Sequence, residues 1–261
     1  MCKFARHSNY IYLCGRMGIE KITEHFANKM KVQKLLILVC AFALFSCAEN
    51  RRQQPQTATS QEVEYEEITM EEITKEPENE IIVVSSYTFE EAIAGTRAPQ
   101  HIIDQLELFD VIYLSTDGRL HQGQIISNQA IAQHIREIFE FMLEQGFVIE
   151  KAVPIVRFNW CDTLSMAANN AHSFNYRLIA GTNVMSLHAT GMAIDINPRF
   201  NPVRWPNNSR PNQPEGAVHD RSVNGTLYPG HPVVEEFRRR GFHWGHWFTR
   251  FYDYHHFEMR R

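Results

Sequence analysis

His188 and Asp195 lie seven residues apart in the stretch Ser186-Leu-His-Ala-Thr-Gly-Met-Ala-Ile-Asp195, an odd spacing that an unbroken strand would send to opposite faces. For the two side chains to meet, the backbone must turn between them. Gly191 is placed to make that turn, because it reaches backbone angles closed to other residues. Met192 to Asn197 then reads as a strand carrying Asp195, with Ile194 and Ile196 on its other face. An imidazole and a carboxylate brought together in this way are half of a zinc site. A catalytic one needs three protein ligands and an open position. Alone, the pair reads more readily as a surface histidine and an unrelated aspartate.

The C-terminus supplies the missing groups. Asp253-Tyr-His-His-Phe-Glu258 holds a carboxylate, two adjacent histidines and a second carboxylate, shortly after Trp244-Gly245. The pattern S-x-H-x-x-G-x-A-x-D, then W-G, then [DE]-x-x-H resembles the zinc D-alanyl-D-alanine carboxypeptidase family. That family includes D,D-dipeptidases and L-alanyl-D-glutamate endopeptidases of peptidoglycan. The first motif is matched at Ser186, His188, Gly191, Ala193 and Asp195.

The resemblance implies that His188, Asp195 and His256 hold Zn²⁺ and that Asp253 is the general base. An aspartate there, one methylene shorter than the glutamate of the D,D-dipeptidases, resembles the endopeptidase branch. Strict strand alternation would instead pair Asp253 with His255, which keeps His255 open as the third ligand. Glu258 is either a residue that orients a ligand or an exposed strand glutamate. Ser173-Phe-Asn-Tyr-Arg177 resembles the family's approach to substrate. It gives Arg177 the oxyanion or a substrate carboxylate, with Tyr176 beside it; a plain salt bridge is the alternative for Arg177. Ser186 orients the site or caps a turn, and Trp244 contacts substrate or packs beneath the metal.

Upstream of this domain the chain reads as an export signal. Met30-Lys-Val-Gln-Lys34 looks like a start, which leaves residues 1–29 before it. The apolar run Leu35 to Phe45 is shorter than the roughly 20 residues of a spanning helix. It ends Leu44-Phe-Ser-Cys47, similar to a bacterial lipoprotein cleavage box, so that residues 30–46 are a signal peptide and Cys47 takes the lipid. Ordinary secretion with cleavage nearby is the alternative. Residues 48 to 80 carry ten glutamates against Arg51, Arg52 and Lys75, a composition that cannot bury a core. Residues 47–85 therefore read as a lipidated, disordered linker with a reach of about 35 Å.

Residues 86–261 then form one globular domain. Phe109–Leu114 and Leu120–Ile126 flank Asp117-Gly118 as a hairpin. Ser127 or Asn128 opens a helix with Ile131, Ile135, Ile138, Met142 and Leu143 on one face, closed by Gly146. Asn197 to Pro232 reads as a loop over the site rim, with Arg199, Arg204 and Trp205 available to a groove. Pro232 starts a helix that ends at Gly241 after three arginines. Once the leader is removed and Cys47 lipidated, Cys161 is the one thiol left, a structural residue with no disulfide partner. His219, His231, His243 and His246 read as structural or rim residues.

The fold class expected is α+β, an antiparallel sheet flanked by helices, for which the resemblance implies a hedgehog/D,D-peptidase-like zinc fold. A net charge of −4 without a basic footprint argues against nucleic acid as a partner. Peptidoglycan stem peptides are the partners that the resemblance implies, at a lipid-anchored position in the bacterial cell envelope. The competing class is a non-catalytic zinc module that binds the wall or a partner; retention of Asp253 argues against it, since binding has no use for a base.

Overall fold

The computed structural model describes residues 80–260. The expected start at Met30, the signal peptide, lipidated Cys47 and the linker up to residue 79 lie outside the described residues. Strand β1, Ile82–Val83, pairs in parallel with His121 and Gln122, and the Ser85 hydroxyl donates to Gln124 Oε1 at 2.7 Å. Ile82 and Val83, at the end of the segment read as linker, thus form a strand, because this apolar end finds a partner in the hairpin.

The N-terminal half is a hairpin with a helix laid on it. After two short helices, α1 (Phe89–Ala92) and α2 (Gln100–Ile103), strands β2 (Leu106–Leu114) and β3 (Leu120–Asn128) pair antiparallel along their full lengths. They are longer than the alternation suggested. Asn128 ends β3 and caps the next helix, its Oδ1 accepting from the Ala130 N–H at 3.1 Å. Helix α3, Gln129–Glu144, buries Ile131, Ile135, Ile138, Phe139, Met142 and Leu143, the stripe expected of a 3.6-residue period. These side chains meet Phe109, Val111 and Tyr113 of β2 in the main core.

The second half is built from short pieces. Strands β4 (Lys151–Ala152) and β5 (Asn170–Ala171) pair in parallel, with α4 (Asp162–Ala167) between them in sequence. Strand β6 (Ala193–Asp195) is followed by β7 (Val203–Arg204) and helix α5 (Pro232–Arg239). Strands β8 (His243–Trp244), β9 (Tyr252–Asp253) and β10 (His256–Glu258) complete the described chain. Strand β10 lies between β6 and β8, antiparallel to both, and β7 pairs with β9. The architecture is mixed α and β, but the expected single antiparallel sheet is replaced by small sheets, two of them containing a parallel pair. No helix among the described residues is long and apolar enough to cross a membrane.

Two further expectations are corrected. The stretch 197–232 is more than a covering loop, because Asn197 and Asn201 are fully buried and act as internal struts. Asn197 Nδ2 donates to Val148 O at 2.7 Å, and Asn201 joins Ile196, Gly225 and Leu227. The terminal arginines of α5 do more than face the helix dipole. Arg239 and Arg240 both bind Glu236, and Arg240 also pairs with Glu137 of α3, which ties the two helices together.

Candidate metal centre

Ser186 opens a single 3₁₀ turn, Leu187–Thr190, and its hydroxyl accepts from the His188 N–H at 3.2 Å. The cap and the orientation of His188 are therefore one contact. Gly191 ends the turn at φ 67°, and a Cβ there would lie 2.6 Å from Asn128 N. The backbone N–H of Asn128 donates to Gly191 O at 2.9 Å, so the motif turn is docked onto the end of the hairpin. Beyond the turn, β6 carries Asp195 inward while Ile194 and Ile196 enter the core.

Strand β10 places His256 directly opposite Asp195. The chain bends at Tyr254 and His255, which separates β9 from β10. That break removes the alternation that would have favoured His255 over His256. His188 Nε2 lies 3.2 Å from Asp195 Oδ1, His256 Nδ1 3.1 Å from the same oxygen, and the two nitrogens 3.1 Å from each other. Ligands on a tetrahedral ion with bonds of about 2.0 to 2.1 Å stand about 3.3 to 3.4 Å apart, so the three atoms fit one Zn²⁺ with a position left open.

The hydrogen bonds around the trio point the right atoms inward. His188 Nδ1 donates to Ser173 O at 2.6 Å, which leaves Nε2 without a proton in the neutral ring. His256 Nε2 faces Glu258 Oε2 at 3.0 Å, and Glu258 is in turn held by Arg260. Glu258 is buried, so the reading of it as an exposed strand glutamate is excluded.

Charge tells the same story. Burial opposes ionisation of Asp195, yet the neighbouring His188 and His255 and the bonds from His188 and His256 hold its carboxyl well below the usual range. Burial likewise works against a charged His256, but bonds to Asp195 and Glu258 carry it up to about 10. Two buried carboxylates demand a cation here, supplied by a proton or a metal ion.

A third histidine joins the cluster. His172, Nε2 or Nδ1, groups with His188 and Asp195 so that the three ligand atoms lie within 4.8 Å of one another. His172 is bridged by backbone to Asp195, and its ring stacks on His188 at 5.4 Å. His256 makes the closer contacts, 3.1 Å from both His188 Nε2 and Asp195 Oδ1. Burial drives the His172 pKa down to about 4, and its buried Nε2 has no hydrogen-bond partner, so a neutral ring stands beside His188 and Asp195. His172 was not singled out in the sequence; its place immediately before the Ser173–Arg177 segment is the one signal that pointed to it.

Asp253 sits beside the trio. Its Oδ1 is 3.1 Å from His255 Nε2, near enough for charge attraction but without hydrogen-bond alignment. Burial raises its pKa, an effect that His255 and His256 oppose. Gly245 makes room for it, since a Cβ at Gly245 would come within 2.8 Å of Asp253 Cβ. His255 points Nδ1 at Asn201 O, 2.7 Å away, and lies 4.0 Å from Asp195 Oδ2, outside the tight trio.

The supporting residues are distributed differently from expectation. Arg177 turns Nε to Asp162 Oδ1 at 3.0 Å, the salt-bridge alternative. Asp162 also receives Asn175 and lies 3.7 Å from His172 Nε2. Tyr176 packs on a second apolar cluster with Phe174 and Leu106. Trp244 is fully buried, donates to Tyr254 O at 2.8 Å and stacks on Phe257, which is the packing alternative of its two readings. His231 caps α5, and Cys161 is a free, half-buried thiol.

With this geometry in hand, the chain can be set beside known families. Residues 180–259 match the D-alanyl-D-alanine carboxypeptidase family. The match bears out the resemblance drawn from the two motifs, and it supports a peptidase. It spans the His188 turn and all strands from β6 to β10, while Tyr176 and Arg177 fall just before it. No curated protein and no solved structure matches the chain.

Proposed function

We propose that this chain is a zinc-dependent peptidase that hydrolyses a bond of the peptidoglycan stem peptide. The observation that carries the proposal is the convergence of His188 Nε2, Asp195 Oδ1 and His256 Nδ1 at 3.1 to 3.2 Å, with the Asp253 carboxyl beside them. His188, Asp195 and His256 would hold Zn²⁺, which when bound would lower the pKa of a water to about 7 and offer a Lewis acid to the amide carbonyl.

The remaining work belongs to the chain. Asp253 accepts a proton from the attacking water and returns it to the departing amine, a task suited to a buried carboxyl with a raised pKa. Glu258 and Ser173 O hold the two imidazoles in their inward tautomers. Ser186 fixes the turn that presents His188. Arg177 enters as the partner that holds Asp162 near His172, in place of an oxyanion donor. The hedgehog/D,D-peptidase-like arrangement, the lipid on Cys47 and a position at the cell envelope belong to the same proposal and rest on the motifs alone.

The test is mass spectrometry of purified wall peptides incubated with the zinc-loaded chain and with Asp253→Ala. Loss of one terminal D-alanine establishes a D,D-carboxypeptidase, and release of the stem after L-alanine establishes the endopeptidase. Neither product, with zinc bound stoichiometrically and wall affinity retained, replaces the enzyme by a binding module.

A further inference from the structure

Strand β9 has two faces, and the site described so far uses one. Asp253 and Tyr252 are adjacent in β9 and so point to opposite sides. On the ladder with β7, Val203 stands opposite Asp253 and Arg204 opposite Tyr252. The face turned away from Asp253 is not empty. Arg204, Trp205, Asn207, Asn208, Tyr252 and Tyr254 line a pocket there of about 280 Å³.

The charge of this pocket is one-sided. Arg136, Arg177, Arg238, Arg239, Arg240 and Arg260 each face a carboxylate, whereas Arg204 has no ion-pair partner among the described residues. The neighbouring Arg210 and Arg221 lie over the Trp205 and Tyr228 rings instead of facing acids. Behind the pocket, the His219 ring is 4.2 Å and the His246 ring 4.8 Å from that of Tyr254. Both histidines are pushed below their usual range, chiefly by burial; Arg204 and Arg221 add to this at His219 against a bond to Leu227 O, and His219 and Arg221 add to it at His246.

An uncompensated guanidinium between aromatic walls, with two amide side chains at its edge, is suited to a carboxylate. We infer that the Arg204 pocket is a carboxylate subsite, which holds an acidic group of the substrate on a residue outside the scissile bond. The inference rests on the peptidase reading for the identity of that substrate. The subsite reads a carboxylate away from the scissile bond and selects substrates longer than a dipeptide.

The test uses the zinc-loaded chain, Arg204→Gln and Arg204→Lys, with wall pentapeptides in which one free carboxylate at a time is converted to the amide. A charge-assisted bond predicts that one amide raises KM about tenfold or more for the wild type. Arg204→Gln should raise KM by the same factor for the acid and add nothing for that amide, with the loss on KM rather than kcat. Arg204→Lys, which keeps charge without the fork, should recover part of it. Equal losses on acid and amide, or a loss confined to kcat, overturn the subsite. If the wild type cleaves none of the peptides, the peptidase reading fails separately. Calorimetric titration of the same acid and amide pair then decides the pocket: acid-selective binding removed by Arg204→Gln supports it, and binding that is equal or absent refutes it.

Discussion

Helix α3 and its hairpin bury isoleucines, phenylalanines and Tyr113, whereas β6 and β10 bury Asp195, Glu258 and His256. The first region consists of long regular elements whose side chains follow one period. The second is three-residue strands and a single turn, held in place by hydrogen bonds between side chains and backbone. Burial in the first region stabilises the fold directly. In the second it costs free energy unless every group is paired, which is why each imidazole of the trio has a second partner on its outer nitrogen. The two regions meet at Gly191, where the metal turn lies against the end of the hairpin. The contrast teaches that chemistry and stability are separable here, and mutations should separate them.

The largest effect should come from the second region without loss of fold. Asp253→Ala should lower kcat by about 10³-fold or more, within the range of a lost general base, while zinc stoichiometry and the melting temperature hold. Turnover of wall peptides alongside metal analysis checks it; a parallel loss of zinc would make Asp253 a ligand instead of a base. The first region should respond in the opposite way. Ile135→Ala removes a fully buried side chain and should destabilise the chain by about 2 to 5 kcal/mol in denaturant titration, with zinc affinity unchanged while it remains folded.

How much of this could be read from the chain follows the same division. The α3 stripe and the Asp117-Gly118 hairpin were legible because long elements repeat a period that random sequence does not. Strands of two or three residues carry no such signal, so β4, β5 and β7 were invisible, β9 and β10 were read as one strand, and a single sheet was expected where small sheets stand. The metal corner was legible for another reason: His188, Gly191, Asp195, Asp253 and His256 form a fixed pattern of types and spacings. What the pattern could not carry was pairing between distant segments. Arg177 had two readings until Asp162 met it, Trp244 had two until it was enclosed, and the place of His172 depends on its backbone bridge to Asp195.

Gly191→Ala probes the seam between the regions. It asks a side chain to adopt φ 67° and to occupy space 2.6 Å from Asn128 N, so a loss of about 2 to 4 kcal/mol is expected, with weaker zinc binding because the His188 turn must shift. Thermal melting with and without zinc would show both. If stability fell while zinc affinity did not, the turn and the metal would be less coupled than the docking implies. Next in size, Glu258→Gln should weaken zinc about 10- to 100-fold, the usual effect of losing a carboxylate that orients a histidine ligand. Competition with a chelator measures it.

The smallest expected effect lies back in the scaffold and has a pH signature. Bonds from Arg239, and from Arg240 against the cost of burial, hold Glu236 down to about 2 from an ordinary 4.5. A carboxyl whose pKa is lower in the folded state than in the unfolded one stabilises the fold above the unfolded pKa, and that contribution disappears as pH falls through the folded value. Glu236→Gln should therefore cost about 1 to 2 kcal/mol at neutral pH, since the α3 to α5 tie through Arg240 and Glu137 remains. In a series of melts from pH 7 downward, the gap between wild type and variant should close between about 4.5 and 2. A gap that stayed constant across that window would mean that the side chain of Glu236 contributes by packing, and the division between an apolar scaffold and an ionic corner would be cleaner than the salt bridges on α5 suggest.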